Sequence, residues 1–297
     1  MTAITRTRTA SLEDWDKAYN NRAAVGMAEV EAFIADLEAR AKAFRQQMTG
    51  LGRTRLDEAY GDRPRQHFDL FLPDQRPAAL TVFVHGGYWR SFDKSFWSHL
   101  ASGPLAHQAA VAIPSYTLCP EARISDITNE IARFLGHIAA EVDGPIRLVG
   151  HSAGGHLVAR LASSSVPHRP GNAPDRRLSE RIAKIVSISG VHDLRPLLLT
   201  SMNDDLRLDL AEARAESPIL LDPVDGVDLT CWAGADELPA FRLQNRLLAE
   251  IWGALGARTE AVEAKGKHHF SVIDDLADPE SELVGTLMGQ SRDAGES

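Results

Sequence analysis

The sequence predicts an α/β architecture: a mostly parallel, doubly wound sheet with helices on its two faces and a small lid-like insertion. Two observations point there. From Leu80 onward, short apolar β-rich runs alternate with helix-periodic runs, the signature of repeated β-α units. Ahead of them lies an antiparallel-looking section that would form one edge of the same sheet. Composition agrees: 297 residues, 44% hydrophobic and 25% charged, are ordinary values for a globular chain. One domain covering residues 1–297 fits this length better than two, since no linker-like stretch divides it.

Taken in order, residues 1–25 read as a polar N-terminal arm. Its start, M-T-A-I-T-R-T-R-T-A-S, lacks the apolar run of a secretory signal. Met27 to Met48 repeats Val30, Phe33, Ile34, Leu37, Ala41 and Phe44 at helical spacing, and Gly50 and Gly52 end it. Gln66 to Leu72 alternates polar and apolar as a half-exposed strand does; Leu80 to Val84 suits a strand buried on both faces. Ala110 to Ile113, Ile146 to Val149, Ile185 to Ile188, Leu229 to Trp232 and Thr259 to Val262 are the remaining strands. Helices are predicted over Ile124–Ala140, Ala153–Ala162, Leu238–Leu255 and from Ser271 onward. Ser163 to Arg181, with three prolines, reads as a surface loop. Val191 to Val227 is long for a connection, so it should fold into short helices over the carboxyl end of the sheet as a lid-like insertion.

Charge and cysteine content narrow the function classes. Acidic residues outnumber basic ones 41 to 32, and no basic run of five interrupts them, which argues against a nucleic-acid groove or a polybasic membrane patch. No stretch nears the roughly 20 apolar residues of a membrane span. The two cysteines, Cys119 and Cys231, are too few for a disulfide framework and read as buried fillers in a reducing, cytoplasmic compartment. No His or acid cluster has metal-ligand spacing, so neither metal nor other cofactor is expected. The expected partner is a small acyl compound, and a homodimer is compatible with the sequence.

The chemistry concentrates in three places. Gly150-His151-Ser152-Ala153-Gly154 sets G-x-S-x-G between a predicted strand and a predicted helix, the frame of a nucleophile elbow. The sharp turn forces Ser152 into a strained backbone conformation that exposes its Oγ, and Gly150 and Gly154 remove the Cβ atoms that would collide. His85-Gly86-Gly87-Tyr88-Trp89 follows the strand Leu80 to Val84. Its paired glycines let N–H groups converge on one point, so Gly86 or Gly87, together with Ala153, can form an oxyanion hole. Tyr88 and Trp89 are candidates to flank the leaving group, or else to pack the loop.

A nucleophilic serine needs a base and an orienting acid, in the chain order Ser, acid, His for this architecture. Asp236 is favoured as the acid because it is the first carboxylate after the glycine turn Ala233-Gly234-Ala235; Glu237 is its neighbour and Asp193 a rival. The base follows the last strand, at His268 or His269, of which one alone can face Ser152. A non-catalytic binding protein is a remote reading, since every member of the set is present.

These motifs resemble the α/β-hydrolase superfamily, and within it the kynurenine formamidase (arylformamidase)-like group. H-G-G-Y-W at His85–Trp89, Trp15–Arg22, Tyr116–Pro120 and G-H-S-A-G-G-H-L carry the resemblance, which extends from Trp15 to about Leu276. The group's histidine directly precedes Phe, which here selects His269 before Phe270. The resemblance implies metal-independent hydrolysis of an N-formyl arylamine through an acyl-enzyme. Short-chain aryl esters and carbamates or amides are the alternative substrates.

Overall fold

The computed structural model describes residues 11–163 and 176–290. The β-rich runs pair into one sheet of eight strands: β1 Thr54–Ala59, β2 His67–Phe71, β3 Ala79–Val84, β4 Ala109–Pro114, β5 Ile146–His151, β6 Ile182–Ile188, β7 Asp228–Gly234 and β8 Arg258–Ala264. Their order is β1-β2-β4-β3-β5-β6-β7-β8. The first two pairings are antiparallel and all the others parallel. Strands β3 and β4 are buried along their whole length, as their unbroken apolar runs require.

Strand β1 is absent from the sequence reading. Its residues, TRLDEA, are half charged, and a register shift with a positive φ of 57° at Asp57 breaks it. Charges and bulges protect an edge from further pairing, and they also erase the alternation that marks a strand.

Helices fill in around the sheet. Ahead of it come α1 Leu12–Tyr19, α2 Asn21–Val25 and α3 Met27–Gly50; between its strands lie α4 Ser102–Ala106, α5 Ile124–Ala139, α6 Ala153–Leu161 and α7 Arg176–Arg181. Then follow α8 Asn203–Leu206, α9 Leu210–Ala215, α10 Pro239–Ala254 and α11 Glu282–Met288. Of the predicted arm, residues 12–25 are two capped helices. Ser11 and Asp14 close a capping box on α1, and the Asn20 side chain accepts from the Ala23 N–H at 3.0 Å. Residues 1–10 lie outside the described part, as does most of the predicted loop after Ser163, whose end is α7.

Residues 191–227 form short helical segments, with 3₁₀ turns at Arg195–Leu199 and Pro218–Leu220 beside α8 and α9. The predicted last helix splits in two. Ser271–Ala277 is a 3₁₀ segment, Asp278 before Pro279 is extended (φ −93°, ψ 114°), and Ser281 caps α11. Cores lie on both faces of the sheet. Phe134 and Ile138 of α5 and Trp252 of α10 pack on one; Trp97, Trp232 and Leu287 of α11 pack on the other.

Candidate active site

Strand β5 runs straight into α6 through Ser152, which holds φ 56° and ψ −116°. A non-glycine residue stays there only if its surroundings force it. They do. A Cβ on Gly150 would sit 2.2 Å from the Gly154 carbonyl oxygen, and one on Gly154 would sit 1.9 Å from that of Val84. Both glycines are therefore dictated by the crossing of strand and helix. The Ser152 N–H is tied to the Ile188 carbonyl at 2.8 Å, which fixes the turn against β6.

The Ser152 Oγ lies 3.2 Å from His269 Nε2, and His269 Nδ1 lies 2.9 Å from Glu237 Oε2. Glu237 is buried. Its other oxygen accepts the Ser189 hydroxyl at 2.5 Å and the Gly234 N–H at 2.6 Å. Burial alone would push this carboxyl up; the His269 ring together with those two donors outweighs it and holds Glu237 below its ordinary value. An ionised Glu237 requires the proton on Nδ1, so Nε2 faces Ser152 as an acceptor and the serine hydroxyl donates to it.

Asp236, the acid favoured from the sequence, is not in this chain of contacts. It is exposed, and its backbone N–H donates to the Lys267 carbonyl. The reason is the turn: the Glu237 N–H bonds back to Gly234 O at 3.2 Å, so the third residue after the glycine folds inward and the second points out. Gly234 allows this because a Cβ there would meet Lys267 O at 2.1 Å. Asp193 is held by Arg195 at 2.7 Å. His268 turns towards α3: its Nδ1 accepts the N–H groups of Phe270 and Ser271, and its Nε2 is 3.5 Å from Glu29.

The glycine loop after β3 closes over the serine. A Cβ on Gly86 would come within 2.8 Å of His151 O and 3.0 Å of Ser152 Cβ. Gly87, Tyr88 and Trp89 all hold positive φ (114°, 50° and 55°), which curls the loop. Ala153 opens α6, where the first N–H groups have no partner within the helix. Tyr88 lines the cavity in front of Ser152, and its hydroxyl donates to Tyr19 O at 2.6 Å. Trp89, proposed to flank a leaving group, does not reach it: the indole is wholly buried, edge-on to His156 at 5.1 Å, and packs the loop from behind. Three left-handed residues in a row rotate it inward.

That cavity has a volume of about 810 Å³. One wall is apolar, from Phe33, Ile34 and Leu37 of α3 with Phe92, Trp97 and Phe270. The rim is polar: Arg90 pairs with Asp205 of α8 at 2.5 Å, Asp16 of α1 accepts the Ser201 N–H at 2.7 Å, and Arg22 lies beside them. His151 forms part of the floor, with its Nε2–H on His269 O at 2.8 Å; burial beside His269 pushes its pKa down to about 3, so it is a neutral spacer. Residues 12–25, read as a polar arm, and the insertion, read as lid-like, therefore both shape the site, although no motif marks which of their side chains line it. Ser189 also escaped notice, because a lone serine after a strand carries no signal. Among the described residues there is no group of three or more His, Cys, Asp or Glu placed to hold a metal, and no helix long and apolar enough to cross a membrane. Both cysteines are buried and unbonded.

Known proteins resemble this chain over most of its length. The kynurenine formamidase of Drosophila melanogaster is 31% identical over 242 residues, 75% of this chain and 77% of that protein. That of Danio rerio is 26% identical over 246 residues, 80% and 81% of the two chains. A crystal structure from Silicibacter sp. TM1040, provisionally described as a thioesterase, superposes with a TM-score of 0.85 at 46% identity, covering 93% of this chain and 99% of that one. The model of the Alpha/beta hydrolase family matches residues 81–294, and with its strand order and its kinship to the formamidases the chain belongs to that family.

Proposed function

We propose that this protein is a serine hydrolase that removes a small acyl group from an aromatic amine, with N-formylkynurenine or a related aryl formamide as substrate. The observation that carries the reading is the hydrogen-bonded series Ser152, His269, Glu237 at the floor of a cavity with one aromatic wall. Ser152 attacks the acyl carbon as His269 takes its proton, and Glu237 stabilises the imidazolium. The N–H groups of Gly86 or Gly87 and of Ala153 receive the oxyanion; one such donor is typically worth roughly a hundred- to thousandfold in turnover. His269 then protonates the departing amine, and water repeats the sequence on the acyl-enzyme. An arylamine is a better leaving group than an alkylamine, so a single general acid suffices. The apolar wall from α3 suits its ring, and the charged rim suits a polar substituent carried on it. Free, buried cysteines fit a reducing, cytoplasmic setting.

Kinship with the formamidases supports the amide; the thioesterase description of the Silicibacter structure favours an activated ester or thioester as the second reading. The test is a panel of N-formylkynurenine, an aryl acetate and butyrate, an aryl carbamate and a short acyl thioester. The formamide should have the highest kcat/KM, and Ser152→Ala should lower it by several orders of magnitude. Turnover of the esters with none of any aryl formamide would replace the first reading by the second.

A further inference from the structure

We propose that Ser189 is a positioning residue for this chemistry, holding the carboxylate of Glu237 by the oxygen that His269 leaves free. The inference rests on the serine hydrolase reading above and adds a fourth residue to it. Strand β6 ends at Ile188, and Ser189 is the next residue, wholly buried. Its backbone N–H donates to Trp232 O at 2.6 Å, which continues the pairing with β7 past the last registered pair, Ile188 with Trp232. Its hydroxyl thereby arrives above the turn that follows β7 and donates to Glu237 Oε1 at 2.5 Å.

The backbone at this position argues that the hydroxyl has a purpose. Ser189 holds φ 52°, a conformation that glycine adopts without penalty and other residues reach only under constraint. A chain that needed only the bend would be better served by glycine. With Gly234 N–H also on Oε1, two donors fix one carboxylate oxygen and leave Oε2 for His269 Nδ1. The carboxylate can neither rotate away from the imidazole nor take up a proton on the oxygen that faces Ser189 without losing those bonds.

Among the described residues, no other nearby charge substitutes for the hydroxyl. His151, packed against His269 at 4.8 Å, is kept neutral by burial. The Tyr88 hydroxyl is held un-ionised in the same way. On α10, Arg242 is paired with Glu263 at 2.5 Å, and Asp236, on the Glu237 turn itself, faces solvent. Loss of the Ser189 hydroxyl should therefore leave the carboxylate free to turn from His269, so that the imidazolium it stabilises forms less readily: the reaction slows, and the acid limb of its pH profile moves down.

The experiment follows the pH dependence of labelling by a fluorophosphonate probe, which needs no natural substrate. Wild-type protein that is not labelled at Ser152 would refute the serine hydrolase reading, and the inference with it. Given labelling, Ser189→Gly suits the backbone and should melt no lower than wild type. It should react roughly tenfold more slowly at neutral pH, with the acid limb moved down by about half a pH unit. Ser187→Ala, a buried serine on the same strand that contacts His192, should leave the acid limb in place. In a Glu237→Gln background, Ser189→Gly should cause no further loss, since the two act through one bond. A folded Ser189→Gly with an unmoved acid limb, or losses that add independently of Glu237→Gln, would overturn the proposal; Ser189→Ala gives the same decision if the glycine variant does not fold.

Discussion

At the scale of single residues, the candidate acid separates what a sequence can carry from what it cannot. Ser152 and His269 are marked by their neighbours: glycines whose Cβ atoms would collide, and a Phe that follows the histidine. Glu237 and Asp236 are adjacent carboxylates, and their roles depend on one turn hydrogen bond from Glu237 N–H to Gly234 O. No property of either side chain encodes that bond. Glu237→Gln should leave the fold intact but cut turnover by about three to four orders of magnitude, because an amide can hold the wrong imidazole tautomer. Asp236→Asn, on the exposed side of the turn, should stay within a factor of about two of wild type on the same assay. His268→Ala should likewise be mild, since that ring serves the backbone of its own loop. Steady-state kinetics on the three variants decides the assignment. The acid limb of the rate profile has a definite sign as well. Glu237 is held below its ordinary value by His269, Ser189 and the Gly234 N–H, so it stays ionised wherever the chain is folded, and the rate falls as acid is added because the base that must accept the Ser152 proton is taken up.

At the scale of elements, periodicity found the helices and strands that bury apolar faces, from α3 and α5 to β3 and β5. It missed those whose pattern is too short or too charged to read. Strand β1 is an edge guarded by charge, and α1 and α2 are short and depend on caps and on the site for their place. Glycines divide in the same manner. Gly154→Ala drives a methyl group into the Val84 carbonyl and should destabilise the protein by several kcal/mol or prevent folding. Gly136, exposed within α5 with open space around its Cα, should respond oppositely: Gly136→Ala should stabilise by about 0.5–1 kcal/mol. Thermal melts of the pair test both. The tie between α1 and the glycine loop is the Tyr88 hydroxyl on Tyr19 O. Tyr88→Phe strands that carbonyl at a cost of about 1–3 kcal/mol and loosens the α1 side of the cavity. Raised KM with little change in kcat is the expected outcome.

At the scale of the whole molecule, buried histidines couple the fold to acidity. His85 and His99 have their pKa pushed down to about 4, and His151, His156 and His192 to about 3, in each case chiefly by burial. The folded chain thus binds fewer protons than the unfolded one between pH 4 and the ordinary histidine value near 6.5. Stability is level above that window and falls within it as pH decreases, by about 1.4 kcal/mol per pH unit for each histidine. Glu237 adds a loss of the same sign at still lower pH. Acid unfolding is expected near pH ~5, with about five protons taken up, measurable from the slope of denaturant-derived stability against pH. His99 has both ring nitrogens buried without a partner, so His99→Leu should make that slope shallower by about one proton. Ser152, Glu237 and His269 follow β5, β7 and β8, in the parallel half of the sheet, whereas much of the cavity wall comes from α1–α3 and the segment around α8, joined by Tyr88, Phe92, Trp97 and Phe270. Much of the wall and the floor of the cavity are thus encoded in different stretches of the chain. Substitutions on α1–α3 or around α8 that redraw the walls should leave the strain at Ser152 and the burial of Glu237 untouched. Residues 11–50 and 191–227, transplanted from a relative of different preference, would carry that preference with them.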